Sequence, residues 1–213
     1  MTYETAKTLR EAALALVPDV IAAGERLGYW TRAEDQTQGT REFPFFFVRD
    51  AEGLTFELSA GIWEYAGKIG CRVATLRRDG LAVSPRDVVA YSTKLPIAYA
   101  DHKRGAEAIA KDLYRRVTGT EQARDIAAKV LKALDARLEN RVSLDRLTEA
   151  LRGLGFEVHN MDRESFSQRT LYHRDLGRAT LCAGGRLTMD HIALSTANLD
   201  RLATVLNLLK ECQ

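Results

Sequence analysis

The most chemically loaded run of the sequence is Asp-His-Lys-Arg-Gly at 101–105. It falls where an apolar, strand-like PIAYA gives way to helical spacing, so Asp101 is expected to cap a helix. Free backbone N–H groups and the helix dipole at such an end favour an anion, and His102, Lys103 and Arg104 would add to that attraction. Neither a P-loop nor a dinucleotide fingerprint is present, since each needs more glycines at fixed spacing. An ordinary capped helix with solvated charges is the competing reading. Along the same helix Arg104, Lys111 and Arg115 line up opposite Leu113 as a basic stripe. A solvated face explains such a stripe, and contact with a phosphate backbone is the sharper alternative. Arg77 and Arg78, at a strand end before Asp79-Gly80, would join this patch if the fold brought them close.

Aromatic residues supply a second candidate. In GIWEYAG (61–67), the parity of the preceding strand puts Trp63 and Tyr65 on the outward face with Thr55, Glu57 and Ser59. Exposed rings there would suit contact with a protein or a base. A bulge at Gly61 would instead flip the register and bury both. The histidines form no catalytic set. Asp190 and His191 are strand neighbours pointing to opposite faces, Asp101 and His102 are adjacent in a loop, and His159 and His173 stand alone. Gly-x-Ser-x-Gly is absent, and Cys71, Cys182 and Cys212 make no CxxC pair or other metal spacing. Cys71 and Cys182 read as small core residues, the usual place of a free cysteine. No cofactor or metal is expected.

The elements that must position these residues follow from periodicity. Leu9, Ala13, Leu16, Val20 and Leu27 fall on one helical stripe, with Pro18 on the opposite face as an expected kink or break and Gly24 and Gly28 as the close. FPFFFVRD and a DAEG turn lead into clean alternation at 54–59, the pattern of a half-buried antiparallel strand. KIGCRVATLRR alternates again, and SPRDVVAY starts a short helix with Ser84 as N-cap and Pro85 in its first turn. A helix over DHKRGAEAIAKDLYRRV buries Ala106, Ile109, Ala110, Leu113 and Val117. A second, introduced by a Thr118/Glu121 capping box, buries Ile126, Ala127, Val130, Leu131, Leu134 and Leu138. A third starts at Ser143 with Leu144, Leu147 and Leu151, ending at Gly153 and Gly155. Strand-like FEVHNM, QRTLYHR, RATLCAG and RLTMDHIALS follow. A last helix, capped near Ser195 or Thr196, carries Leu199, Leu202, Ala203, Leu206 and Leu209.

The two ends of the chain resemble each other. Each has a helix ending in Leu-Gly-aromatic (Gly28, Gly155), a polar loop, an apolar strand, Arg-Asp with a glycine turn (Gly53, Gly177), further strands, an "IA" strand end and a helix. The reading is therefore α+β, with two similar helix–antiparallel sheet–helix units joined by a central helical segment. Residues 1–118 form the N-terminal unit, 119–142 the connecting helix and 143–213 the C-terminal unit. Two such units could present a continuous sheet face to DNA or to a twofold-symmetric protein.

Bulk composition narrows the function classes. The 213 residues are 46% hydrophobic and 28% charged, and 31 Lys and Arg against 29 Asp and Glu leave a net charge of +2. No general field is available to collect nucleic acid or an anionic membrane, so such binding would have to be local. No apolar run approaches a bilayer span, and Glu4 and Glu11 interrupt anything like a secretory leader. Odd, scattered cysteines fit a reducing compartment, and the expected location is cytoplasmic.

The segment RGAEAIAKDLYRRV (104–117) resembles a helix found in uncharacterised accessory proteins of bacteriophages and mobile elements of GC-rich bacteria. The resemblance implies a small accessory protein of the bacterial cytoplasm and brings no activity or site residues. Together these features point to a non-catalytic binding protein acting through a surface, with a protein as partner and Trp63 and Tyr65 as interface candidates. A nucleic-acid-binding protein using the basic helix face is the alternative. An enzyme with a site at the interface of the two units is the third reading. A homodimer is open, and no membrane partner is expected.

Overall fold

A computed structural model describes residues 2–33, 38–40, 43–158, 167–183, 186–189 and 196–211. The chain is α+β, with helices packed beside antiparallel sheets, and divides into two compact units, Met1–Leu134 and Asp135–Gln213.

The first unit opens with α1 (Tyr3–Arg26), capped by Thr2, whose side chain accepts from the Thr5 amide. Pro18 does not break it. The helix runs through Pro18, which lies on the exposed side, so the carbonyl it leaves unbonded can turn to water. Burial centres on Ala13, Val17, Val20, Ile21, Ala23 and Gly24, a stripe rotated from the expected one through Leu9, Leu16 and Leu27. Gly24 does not close the helix; it makes room. A methyl at Gly24 would overlap the buried Trp30 indole, whose Nε1 donates to the Ile21 carbonyl at 3.2 Å. That contact folds the chain leaving α1 back against it.

Next come β1 (Thr31–Arg32), β2 (Gln38–Thr40), β3 (Phe43–Arg49), β4 (Thr55–Ala60) and β5 (Lys68–Val73). A separate two-stranded hairpin, β6 (Leu76–Arg78) and β7 (Leu81–Val83), turns at Asp79 and Gly80, both at positive φ. Then follow α2 (Pro85–Val88), with Ser84 and Asp87 in a capping box, and β8 (Ile97–Asp101). The main sheet has the order β1-β3-β4-β5-β8, antiparallel throughout, with β2 paired to β3. One parity of this sheet supplies most of its buried residues: Val48, Phe56, Leu58, Ile69, Cys71, Val73, Ala98 and Ala100. The other parity is not simply open, as half-burial would require. Phe47, Thr55 and Glu57 are buried there as well.

Two helices follow, and here the expected boundaries shift. A 3-10 turn, His102–Arg104, precedes α3 (Ala106–Leu113), whose N-cap is Gly105. The chain then passes into a π-helical turn, Tyr114–Thr118, in which the Gly119 amide donates to the Tyr114 carbonyl. Thr120, not Thr118, caps the next helix: its hydroxyl accepts from the Ala123 amide, while Thr118 is buried. That helix, α4 (Glu121–Gly153), is continuous where the sequence suggests two, because nothing in 139–143 is a helix breaker. In its first half it buries Ile126, Ala127, Val130 and Leu134. The helices α1 and α3 pack on each other and against β4, β5 and β8.

The second unit has its own core. Leu144, Leu147 and Leu151 of α4 pack with Phe156, Leu171, Leu176, Ala179, Leu181 and Val205. Its sheet runs β9 (Phe156–Val158), β10 (Gln168–His173), β11 (Gly177–Cys182), β12 (Leu187–Met189) in sequential antiparallel order, and α5 (Thr196–Glu211) closes it. The core side of α5 is marked by Val205, whereas Ala203 and Leu206 are exposed and Leu202 is half-buried. The side chains of Leu199 and Leu209, and residues His159, Asp190, His191 and Cys212, lie outside the described residues.

Gly24→Ala should lower stability by about 1–3 kcal/mol through overpacking against Trp30. Gly153→Ala, where a methyl meets nothing within 4 Å, should leave stability unchanged or raise it. Urea denaturation of the two variants reads the difference.

Candidate binding surface of the first unit

Two groups of side chains stand out in the first unit. One is built around a carboxylate that the sequence reading passed over. Asp112, near the end of α3, has its side chain 6% exposed and receives three guanidiniums. Arg104 Nη1 donates to Oδ2 at 2.9 Å, Arg115 Nη2 to Oδ1 at 3.2 Å and Arg116 Nη1 to Oδ2 at 3.2 Å. Arg116 also donates to the Tyr99 carbonyl of β8 at 3.2 Å. Burial works to raise the Asp112 pKa, but the bonds from Arg116 and Arg104 outweigh it and hold the carboxyl below its ordinary 3.8.

The expected basic features are rearranged accordingly. Arg104 and Arg115 do come together, with Arg116 as the unanticipated third member. Lys111 does not join them, because it is bound to Glu107 one turn back at 2.6 Å. That hydrogen bond raises the Lys111 pKa and lowers that of Glu107. Arg77 and Arg78 sit on the separate β6–β7 hairpin, and Asp112's partners among the described residues come from elsewhere. The expected anion site at a helix start over 101–105 is also corrected. Asp101 caps only the 3-10 turn, accepting from the Lys103 amide at 2.9 Å. His102 is inside the fold's own bonding: its Nδ1–H and its backbone amide both donate to the Gly67 carbonyl, at 2.6 and 3.0 Å. Lys103 is exposed beside them.

The second group lies on the less buried parity of the main sheet. Register places Phe47, Glu57, Arg72 and Ile97 side by side across four strands. Glu57, 4% exposed, accepts from Arg72 Nε at 3.0 Å, with Nη2 at 2.7 Å. Burial raises the Glu57 pKa above its ordinary 4.5, and the charge and hydrogen bond of Arg72 oppose that rise. In the next register row Ser59, Gly70 and Tyr99 are aligned, and a side chain at Gly70 would meet the Tyr99 ring at 2.8 Å.

GIWEYAG leaves the strand altogether: β4 ends at Ala60, so strand parity no longer assigns its faces. A 3-10 turn, Trp63–Tyr65, follows, and Trp63 adopts φ +50, a left-handed conformation uncommon for a residue with a side chain. Trp63 is 66% exposed and Tyr65 37%, so neither ring returns to the core. Tyr65 stacks on Tyr99 at 4.1 Å between ring centres, with Lys68 Nζ 5.4 Å from the Tyr65 ring, while the Tyr3 ring lies tilted at 6.5 Å from Trp63. Beside the turn is a groove of about 240 Å³ whose walls include Phe45, Ile62, Tyr65, Arg72, Ile97 and Tyr99.

Other candidate chemistry is used structurally. Cys71 is fully buried, and burial together with the Glu57 charge pushes its thiol far up, which leaves it inert. In the second unit His173 is buried, and its Nδ1 accepts from the Asp175 and Leu176 amides at 3.1 and 3.2 Å, closing the β10–β11 turn. Among the described residues no three His, Cys, Asp or Glu side chains gather as a metal site, and no helix is long and apolar enough to cross a membrane. Comparison with protein-family models, curated proteins and solved structures gives no match to this chain.

Because the folded-state pKa of Glu57 is raised, its contribution to stability is complete below about 4.5 and is lost as pH rises through the folded value. Gln keeps an oxygen for Arg72 without the buried charge. Wild-type melting temperature should therefore fall relative to Glu57→Gln as pH is raised from about 4 to 8. Parallel melting curves would contradict this assignment.

Proposed function

We propose that this chain is a binding protein that takes a protein partner on the aromatic turn and groove of its first unit. The observation that carries this reading is Trp63, a large indole held outward at φ +50 on a turn braced from below. Such a backbone costs on the order of 1–3 kcal/mol, and the fold's own packing recovers little of it, since the ring is mostly in water. Trp, Tyr and Arg are the residue types that dominate protein interfaces, and this region carries all three: Tyr65 and Arg72 in the groove wall, and Trp63 on the same turn as Tyr65. Exposed Ile62 and Ile97 extend the apolar area, and grouped apolar exposure of this kind marks interaction surfaces. The groove is small beside usual ligand pockets and takes Ile62 and Tyr65, which flank Trp63 in sequence, into its wall, which suits one apolar side chain of a partner segment better than a whole metabolite.

Duplication of the unit belongs to the same proposal. What supports it is the matching order of the parts: a helix ending at Leu-Gly, an antiparallel run of strands and a following helix. The four glycines aligned between the halves, Gly28 with Gly155 and Gly53 with Gly177, all have φ between +71 and +92. The accessory-protein role implied by the helix at 104–117 is compatible with a surface-acting function and is proposed on that resemblance alone.

Replacement of Trp63 tests the reading directly. Random peptides selected against the purified chain should include ligands whose affinity falls by about tenfold or more in Trp63→Gly. The stability of that variant should stay level or rise by up to about 1 kcal/mol, because glycine relieves the left-handed strain. Loss of stability with unchanged peptide affinity would assign the indole a structural role instead.

A further inference from the structure

We propose that Arg104, Arg115 and Arg116 form a binding site for a single phosphate-type oxyanion, with Asp112 as its buried organiser. Three guanidiniums converge on the two oxygens of one carboxylate within 3.2 Å. That carboxylate cancels one positive charge, so the cluster keeps a surplus of two. Each guanidinium has more N–H donors than the contacts to Asp112 and the Tyr99 carbonyl consume. The side chains are also open on their outer side, at 50%, 78% and 46% exposure for Arg104, Arg115 and Arg116, while Asp112 beneath them is at 6%. An approaching anion therefore meets arginine donors first and the carboxylate last.

Pre-ordering makes this more than a patch of charge. Holding a long, flexible arginine in place for a ligand costs conformational entropy, and here Asp112 has already fixed all three from below. Planar guanidiniums also match the oxygens of a phosphate in paired hydrogen bonds. The site is compact rather than extended. The stripe that would have tracked a nucleic-acid backbone is interrupted by the Lys111–Glu107 pair, and Arg77 and Arg78 belong to another hairpin. A focal surplus of charge fits one phosphate or pyrophosphate group better than a series of phosphodiesters.

The test is titration of the full chain with inorganic phosphate and with pyrophosphate, by calorimetry and thermal shift, in wild type and Arg115→Gln. Arg115 is the most exposed of the three, so its replacement should leave the unliganded melting temperature unchanged. Saturable binding with a pyrophosphate Kd below about 1 mM is expected, roughly tenfold weaker in Arg115→Gln. Absence of saturable binding to either probe, or equal affinity in Arg115→Gln, would overturn the proposal. So would duplex DNA that binds with a steep salt dependence and is not displaced by pyrophosphate, a result that would assign the cluster to a nucleic-acid backbone.

Discussion

A carboxylate taken out of water must be met by cations or donors, and Asp112 is met by three arginines from two stretches of chain. Arg104 comes from the 3-10 turn after β8, whereas Arg115 and Arg116 come from the π-helical turn after α3. Through Arg116 the same group reaches the Tyr99 carbonyl. One buried charge thus ties together the end of a strand, the start of a helix and the irregular turn that follows. Ion pairs such as Lys111–Glu107 and Lys129–Asp125 lie in solvent and contribute little by comparison. With partners on both sides of α3, Asp112 links the 3-10 turn before that helix to the π-helical turn after it.

The main sheet meets a related constraint on its less buried parity. Glu57 is placed opposite Arg72 by strand register, so the cross-strand pair lets a polar residue occupy a buried position without an orphaned charge. Arg72 remains half in water and contributes to the groove wall. Gly70 leaves space for the Tyr99 ring, and Tyr99 in turn supports Tyr65. The exposed Trp63 turn therefore stands on a chain of contacts that reaches down to the strands.

Local signals made much of the fold legible in advance. Ser84 with Pro85, the DAEG turn and the alternation at 54–59 each specify an element within a few residues, and each is present. The leucine spacing at 144–151 marks a true core face, but one that belongs to the continuous α4 and not to a helix of its own. What stayed hidden depends on distant partners. Gly24 reads as a helix end until Trp30 is seen against it, and Glu57 reads as solvent-facing until Arg72 is beside it. The arginine cluster was half visible. Charge counting along one stripe found Arg104 and Arg115, but the i, i+3 and i, i+4 relation of Asp112 to Arg115 and Arg116 was the stronger signal. The position of Trp63 could not be extrapolated, because strand parity has no meaning once the strand has ended.

The uninterrupted α4 has a practical consequence for dissecting the molecule. The chain divides into compact units between Leu134 and Asp135, yet that junction is the interior of a 33-residue helix. Severing it there would strand carbonyls on one fragment and amides on the other, exposing raw helix ends where none existed. Recombinant halves cut at the apparent border would begin life frayed. Fragments that share an overlapping portion of the rod, each carrying its own cap, are the sounder starting material.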